Sequence, residues 1–258
     1  MRTVHATRYV TPLREGGSMP GLVEADDDGL YVVKFRGAGQ GLKALIAEVV
    51  VGELARALGL RVPEVVLIEV DPLLAAAEPD PEIQELVQAS GGSNAALDFL
   101  PGALPFSPAT PVGVTPELAA EVVWLDALTA NVDRTPRNPN MLVWHGELWL
   151  IDHGAALYRH HAATWPEGAA AAKFALIADH VLLPFAGSIL EADERLAPKL
   201  DHATLSAAVA PVPDDWLGGE GAAEAAVARE IYVEYLTERL HAPRAFAAEA
   251  EEARRELG

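Results

Sequence analysis

The chain has 258 residues, no cysteine, and 38 acidic against 19 basic side chains, for a formal net charge of −19. That acid excess repels nucleic acid and anionic membrane, so direct binding to either is not expected. Without cysteine there are no disulfides and no thiolate zinc sites. A chain of this length buries about 70–75% of its unfolded surface, enough for two lobes.

Residues 4–13 read as a first strand, 14–20 as a turn and 21–24 as a second strand. Gly16, Gly17 and Ser18 in that turn can offer backbone N–H groups to phosphates, or can serve only as a turn. Asp26-Asp-Asp-Gly29 makes a hairpin turn into the apolar run Leu30-Tyr-Val-Val-Lys-Phe35. Its lysine, Lys34, is one of only four in the chain. It is either a strand-edge solubilising charge or a side chain kept for chemistry. The glycine-rich stretch 36–41 can contribute anion contacts or serve only as a flexible joint, and the joint is the preferred reading. Residues 43–60 repeat apolar side chains at helical spacing, with Ile46, Val49, Val50 and Leu54 on one face and Glu48 and Glu53 at its rim. Gly59 and Pro63 end that helix. A strand over 64–70 follows, then an acid- and proline-rich surface segment with a short helix over 81–89. The last strand of this half covers 95–100 and meets Pro101-Gly102.

Thr115 caps, and Pro116 opens, a helix that runs through Val122, Val123, Leu125, Asp126 and Leu128. It delivers the most informative segment, Asn131-Val-Asp-Arg-Thr-Pro-Arg-Asn-Pro-Asn140, in which Asp133 precedes Asn138 by five residues. Met141-Leu-Val-Trp144, the turn His145-Gly146 and Leu148-Trp-Leu-Ile151 read as a β-hairpin that returns Asp152 towards the loop. Two acids and an amide so delivered can hold Mg²⁺, which takes oxygen ligands and usually only one or two carboxylates. Arg134 and Arg137 add positive charge in a loop with a single acid, which suits phosphate; Arg137 serves equally well as a structural ion-pair partner. Further helices are expected over 169–183, 191–200 and 203–209, with a long pair over 220–257. The apolar stretch 169–190 is interrupted by Lys173, Asp179 and His180, so no membrane span is expected. The first eight residues lack an apolar leader, and a cytoplasmic protein is expected.

The order aspartate, four residues, asparagine, hairpin, Asp-x-Gly is that of a kinase catalytic loop and metal-binding loop. Arg134 following the aspartate, and His153 after Asp152, make the segment resemble the HipA-like kinase family and the phosphoinositide-kinase branch of the same superfamily. Glu48-Val-Val-Val-Gly-Glu-Leu-Ala, running on to Pro63, is similar to the HipA stretch that carries the lysine-pairing glutamate. The resemblance implies an α+β, protein kinase-like two-lobe fold. Residues 1–100 would form the small β-rich lobe and 101–258 the helical lobe, with the nucleotide between them. It implies ATP and Mg²⁺ as cofactors and a phosphate acceptor whose identity stays open. Asp133 would orient the acceptor hydroxyl, and Lys34 would grip the α/β-phosphates, braced by Glu48. Asn138 and Asp152 would hold the metal, and Arg134 would join the catalytic set. Gly16, Gly17 and Ser18 would cover the phosphates, and Asp98, Phe99 and Leu100 would meet adenine. Gly154 would let the metal loop turn sharply.

Several alternatives stay open. Asn140 rivals Asn138 as ligand, and Glu53 rivals Glu48 as lysine partner. A nucleotide-binding pseudokinase would keep the fold without turnover. A metal-dependent hydrolase built on Asp152-His153 and His160-His161 is a third class, although it lacks a spaced histidine motif.

Overall fold

Lysine 34 ends a strand that packs on both faces, and this packing organises the first half of the molecule. The computed structural model describes residues 1–13, 19–218, 221–241 and 243–257. Five strands, β1 (Thr3–Pro12), β2 (Gly21–Ala25), β3 (Leu30–Lys34), β4 (Val65–Val70) and β5 (Gly92–Asp98), close into a barrel in the order β1-β2-β3-β5-β4. Neighbours run antiparallel except β1 and β4, which pair in parallel through Thr3–Leu67, Val4–Ile68 and His5–Glu69. Alternation along β3 turns Tyr31 and Val33 into the barrel core with Val4, Val23 and Ile68. Lys34 therefore lies on the opposite face, in register with Ala95 of β5.

That outer face is covered by helix α1 (Gly41–Leu58). Ile46, Val49, Val50 and Leu54 are fully buried or nearly so, in one core with Val122, Val123 and Leu125. Helix α1 is thus apolar almost all round and works as an internal strut rather than a surface helix. It ends at Gly59, whose φ of 90° is the left-handed cap glycine adopts without strain. Two lysines tie it to the helical half: Lys43 of α1 itself donates to the His160 carbonyl, and Lys199 donates to the Leu58 carbonyl at 3.2 Å. The joint before α1 is not free. Arg36 N–H donates to Asn94 Oδ1 at 2.7 Å and Gly37 N–H to Ser90 Oγ at 3.1 Å. A Cβ on Gly37 would meet the Ala89 Cβ at 2.8 Å, so glycine is required by this close approach.

Helix α2 (Pro81–Ala89), capped by Asp80, packs Ile83, Leu86 and Val87 on the end of the barrel core. A two-residue strand β6 (Leu104–Pro105) then pairs with the hairpin β7 (Met141–Trp144) and β8 (Glu147–Leu150). Between them runs α3 (Pro116–Thr129), capped by the Thr115 hydroxyl and buried along most of its length. The remainder is helical: α4 (Ile189–Leu196), α5 (His202–Val209), α6 (Ala222–Leu240) and α7 (Ala245–Glu256). No helix among the described residues is long and apolar enough to cross a membrane.

One expectation needs correction here. Residues 169–183 form no α-helix; they hold short 3-10 turns, one of them over Ala175–Asp179. Arg239 of α6 takes the carbonyls of Ala170 and Ala172, Arg159 takes that of Lys173, and Glu249 of α7 accepts the Phe174 N–H. These side chains claim the groups a helix ladder needs, and tertiary contacts override the alanine-rich propensity. The expected long pair over 220–257 is present as α6 and α7, which part near Pro243, because proline cannot donate to a helix ladder.

Candidate functional site

Strand β3, helix α1 and the turn after β8 bring Lys34, Glu48 and Asp152 together. Lys34 forms a direct ion pair with Asp152, and its Nζ stands 3.8 Å from Glu48 Oε2. Glu48 is buried, and no side chain among the described residues hydrogen-bonds its carboxylate, which the His153 backbone N–H faces. Burial pushes the Glu48 carboxyl up, with Lys34 opposing that shift. Burial likewise works against the Lys34 charge, but Glu48 and Asp152 outweigh it and hold the ammonium above its usual value. The same lysine draws Asp152 down against its own desolvation. The alternative partner, Glu53, faces Arg56 at 3.5 Å instead.

The catalytic-type loop is built by local hydrogen bonds. Thr135 and Asn138 exchange backbone bonds at 3.1 Å, closing a tight turn around Pro136-Arg137. This turn aims the Asn138 side-chain amide at Asp133, to whose Oδ2 it donates at 2.7 Å. Asn140 donates to the same oxygen at 3.2 Å and adopts a left-handed φ of 49°. Both rival amides therefore converge on Asp133.

Behind the loop lies a buried network. Asp126 of α3 accepts from Arg134 Nε at 2.5 Å, from His180 Nε2 at 2.9 Å and from the Asn131 amide at 3.0 Å. Asn131 Oδ1 in turn accepts the Asp133 N–H at 3.1 Å. Burial would raise the Asp126 carboxyl, but the Arg134 guanidinium and His180 hold it well below the carboxylate range. The Leu182 N–H donates to His180 Nδ1 at 3.0 Å, so the proton of this neutral imidazole is on Nε2 and points at Asp126. Arg134 also reaches the Asn140 carbonyl and, at 3.4 Å, that of Ile151. Its Nη2 lies 3.3 Å from His153 Nδ1, which must accept because guanidinium only donates. Burial, with the guanidinium beside it, pushes His153 down to about 3.

The structure moves several expected residues. Arg134, expected to lend positive charge to phosphates, has a side chain with no exposed surface and faces inward. Arg137 is exposed and Asn138 is exposed. The sharp turn expected at Gly154 falls on Asp152 itself, with φ 56°. A Cβ on Gly154 would meet only ordinary contacts at 3.5 Å. Aspartate tolerates the left-handed region better than most side chains, and such conformations concentrate at functional sites. In the 98–100 segment, the Asp98 and Phe99 amides are committed to the Glu64 and Leu30 carbonyls, both at 2.9 Å. Among the described residues Leu100 keeps the one amide of the three without a protein partner. Gly16, Gly17 and Ser18 lie outside the described residues. His160 and His161 are joined through their Nε2 atoms at 3.1 Å, and Tyr232 holds the other His160 nitrogen. No group of three histidine, aspartate or glutamate side chains suited to a metal occurs among the described residues.

Asp126 and His180 were missed as site residues. Asp126 carries one signal, an isolated acid in the apolar run Val122-Val-Trp-Leu-Asp-Ala-Leu128. His180 carries none, since its partner is 54 residues away.

The arrangement is that of a kinase fold. The crystal structure of the Helicobacter pylori proinflammatory kinase CtkA is similar over 92% of this chain and 94% of that one, with a TM-score of 0.54 at 15% identity. The structure of the Golgi casein kinase with Mn/ADP bound aligns with 95% of this chain and 74% of that chain, with a TM-score of 0.49 at 10% identity. Comparison with curated proteins finds no match. The family model described as HipA-like kinase matches residues 7–245, and the chain belongs to that family.

Proposed function

We propose that this protein is an ATP- and Mg²⁺-dependent phosphotransferase that passes the γ-phosphate to a hydroxyl of a protein serine or threonine or of a small molecule. The nucleotide cleft lies between the barrel with α1 (residues 1–100) and the helical portion (101–258). The observation that supports this reading most is the meeting of Lys34 with both Glu48 and Asp152 beside a loop in which Asn138 and Asn140 converge on Asp133.

The residues fit a magnesium nucleotide. Asp152, about one-third exposed at its side chain, and the Asn138 amide oxygen are hard ligands of the type magnesium takes. Bound Mg²⁺ supplies neutralisation of the β- and γ-phosphate charge. Lys34 exchanges contact with Asp152 for the α/β-phosphates, while buried Glu48 keeps its ammonium charged and in place. Asp133 orients the acceptor hydroxyl and receives its proton, which in a loose transition state requires no unusual basicity. The Leu100 amide offers adenine a hydrogen-bond donor. Arg134 acts from behind the loop and touches no substrate.

The test is calorimetric titration of ATP with and without Mg²⁺ on wild type and Asp152→Asn. Mg²⁺-dependent binding, weakened by the substitution, is expected. Absence of binding to wild type in both conditions overturns the proposal. Turnover of bound ATP, abolished in Asp133→Asn, separates an active kinase from a nucleotide-binding pseudokinase.

A further inference from the structure

One guanidinium joins the two halves of the site. Arg134 Nη1 contacts the carbonyls of Asn140 and Ile151, the residues at either foot of the β7–β8 hairpin. These feet also bond directly, Ile151 N–H donating to the Asn140 carbonyl at 3.1 Å. Asn140 closes the loop that holds Asp133 and Asn138, and Ile151 immediately precedes Asp152. The hairpin base thus sets the separation between the acid of the loop and the acid after the strand.

Arg134 has rotational freedom of its own, and something must hold its fork. Asp126 does so through Nε, and the second donor to the same oxygen, His180 Nε2, keeps that carboxylate from rotating. The remaining oxygen holds Asn131, whose carbonyl oxygen fixes the Asp133 amide. The segment that carries His180 is itself tied to the loop, Val181 N–H donating to the Arg134 carbonyl at 3.0 Å. Both arms leaving Asp126 end at a proposed functional acid: one at Asp133 through Asn131, the other beside Asp152 through Arg134.

The geometry points to Asp126 and His180 as positioning residues that fix Asp133 relative to Asp152 through Arg134 and Asn131. This inference rests on the phosphotransferase reading for its catalytic consequence, though not for its geometry. Chemistry of this kind demands tight placement, since a misplacement of about 1 Å can cost roughly 10²-fold in rate. Residues that orient ligands from behind typically cost about 10–100-fold when removed.

The experiment compares wild type with His180→Phe, which keeps an aromatic ring but loses the donor, and His180→Gln, which restores an N–H at the Nε2 position. Two quantities are read on protein checked for cooperative melting: amide hydrogen exchange at Asp133 and Ile151, and kcat and KM for ATP turnover. In His180→Phe both amides are expected to exchange about tenfold faster or more. Its kcat is expected to fall about 10–100-fold with KM within about threefold, and His180→Gln to recover both. Unchanged exchange in His180→Phe overturns the inference, as does faster exchange with unchanged kcat, or a His180→Gln variant as impaired as His180→Phe. Should His180→Phe not fold, Asp126→Asn, which keeps the shape and touches neither reporting amide directly, carries the same expectation at Asp133 and Ile151. A wild type that binds no ATP overturns the function instead, and the exchange measurement then decides the clamp by itself.

Discussion

Lys34 and Asp152 are 118 residues apart in the chain and form a direct ion pair, with Glu48 placed 3.8 Å from the same ammonium. One cation therefore serves two carboxylates, and for buried Glu48, faced otherwise by the His153 backbone N–H, it is the principal compensation. A buried carboxylate in that state depends on its counter-charge.

Glu48→Gln keeps shape and removes the charge that holds Lys34. A close charge pair of this kind contributes ~1.5 kcal/mol or more, or about tenfold or more in rate. ATP turnover is expected to fall by that factor, while Glu53→Gln, which alters only a contact with Arg56, stays near wild type. Steady-state kinetics on the two variants checks this, and equal losses would reject the assignment of Glu48.

Asp133→Asn retains the size of the side chain and its place beside Asn138 and Asn140. ATP binding by calorimetry is expected to persist while turnover falls about 10²–10⁴-fold, the usual contribution of a positioned base. Turnover close to wild type would remove Asp133 from the chemistry.

Arg134→Met would leave Asp126, fully buried, without its guanidinium. Removing one partner of a buried pair costs about 3–5 kcal/mol, whereas replacing both by apolar groups is far milder. The denaturant midpoint is expected to drop accordingly in Arg134→Met and to recover in large part when Asp126→Leu is added. A single variant as stable as wild type would show that the pair contributes little.

Acid should weaken the fold well before the carboxylates titrate. Burial, helped by His161 and Lys43, holds His160 down to about 3, against an unfolded imidazole value near 6.5. Between those values the unfolded chain binds a proton that the folded chain does not, so stability rises with pH. It is complete above about pH 6.5 and is lost as pH falls towards the folded value. Glu251, drawn down to about 2 mainly by Arg254, adds a loss of the same sign, beginning below about pH 4.3. Thermal midpoints measured from pH 7 to pH 5 are expected to decline, less steeply in His160→Phe. Equal slopes in wild type and His160→Phe would contradict the burial of this histidine.

What could be read from sequence was whatever chemistry is written at short range. The spacing of Asp133 and Asn138 is legible because a single turn, Thr135 to Asn138, enforces it with two local backbone bonds. The strand ending in Lys34, the helix carrying Glu48 and the hairpin before Asp152 follow from period-2 and period-3.6 patterning, and the family resemblance rests on the same local segments. Side-chain direction was not legible. Arg134 reads as a phosphate-side charge beside Asp133, yet it turns inward because Asp126, eight residues earlier, and His180, 46 residues later, create a buried site for it. The failed helix at 169–183 has the same origin: Arg239 and Glu249, far along the chain, capture its backbone groups. Local hydrogen bonding and periodicity are properties of neighbouring residues, which a sequence displays. Burial and charge compensation depend on which distant segments meet, and only the tertiary structure decides that.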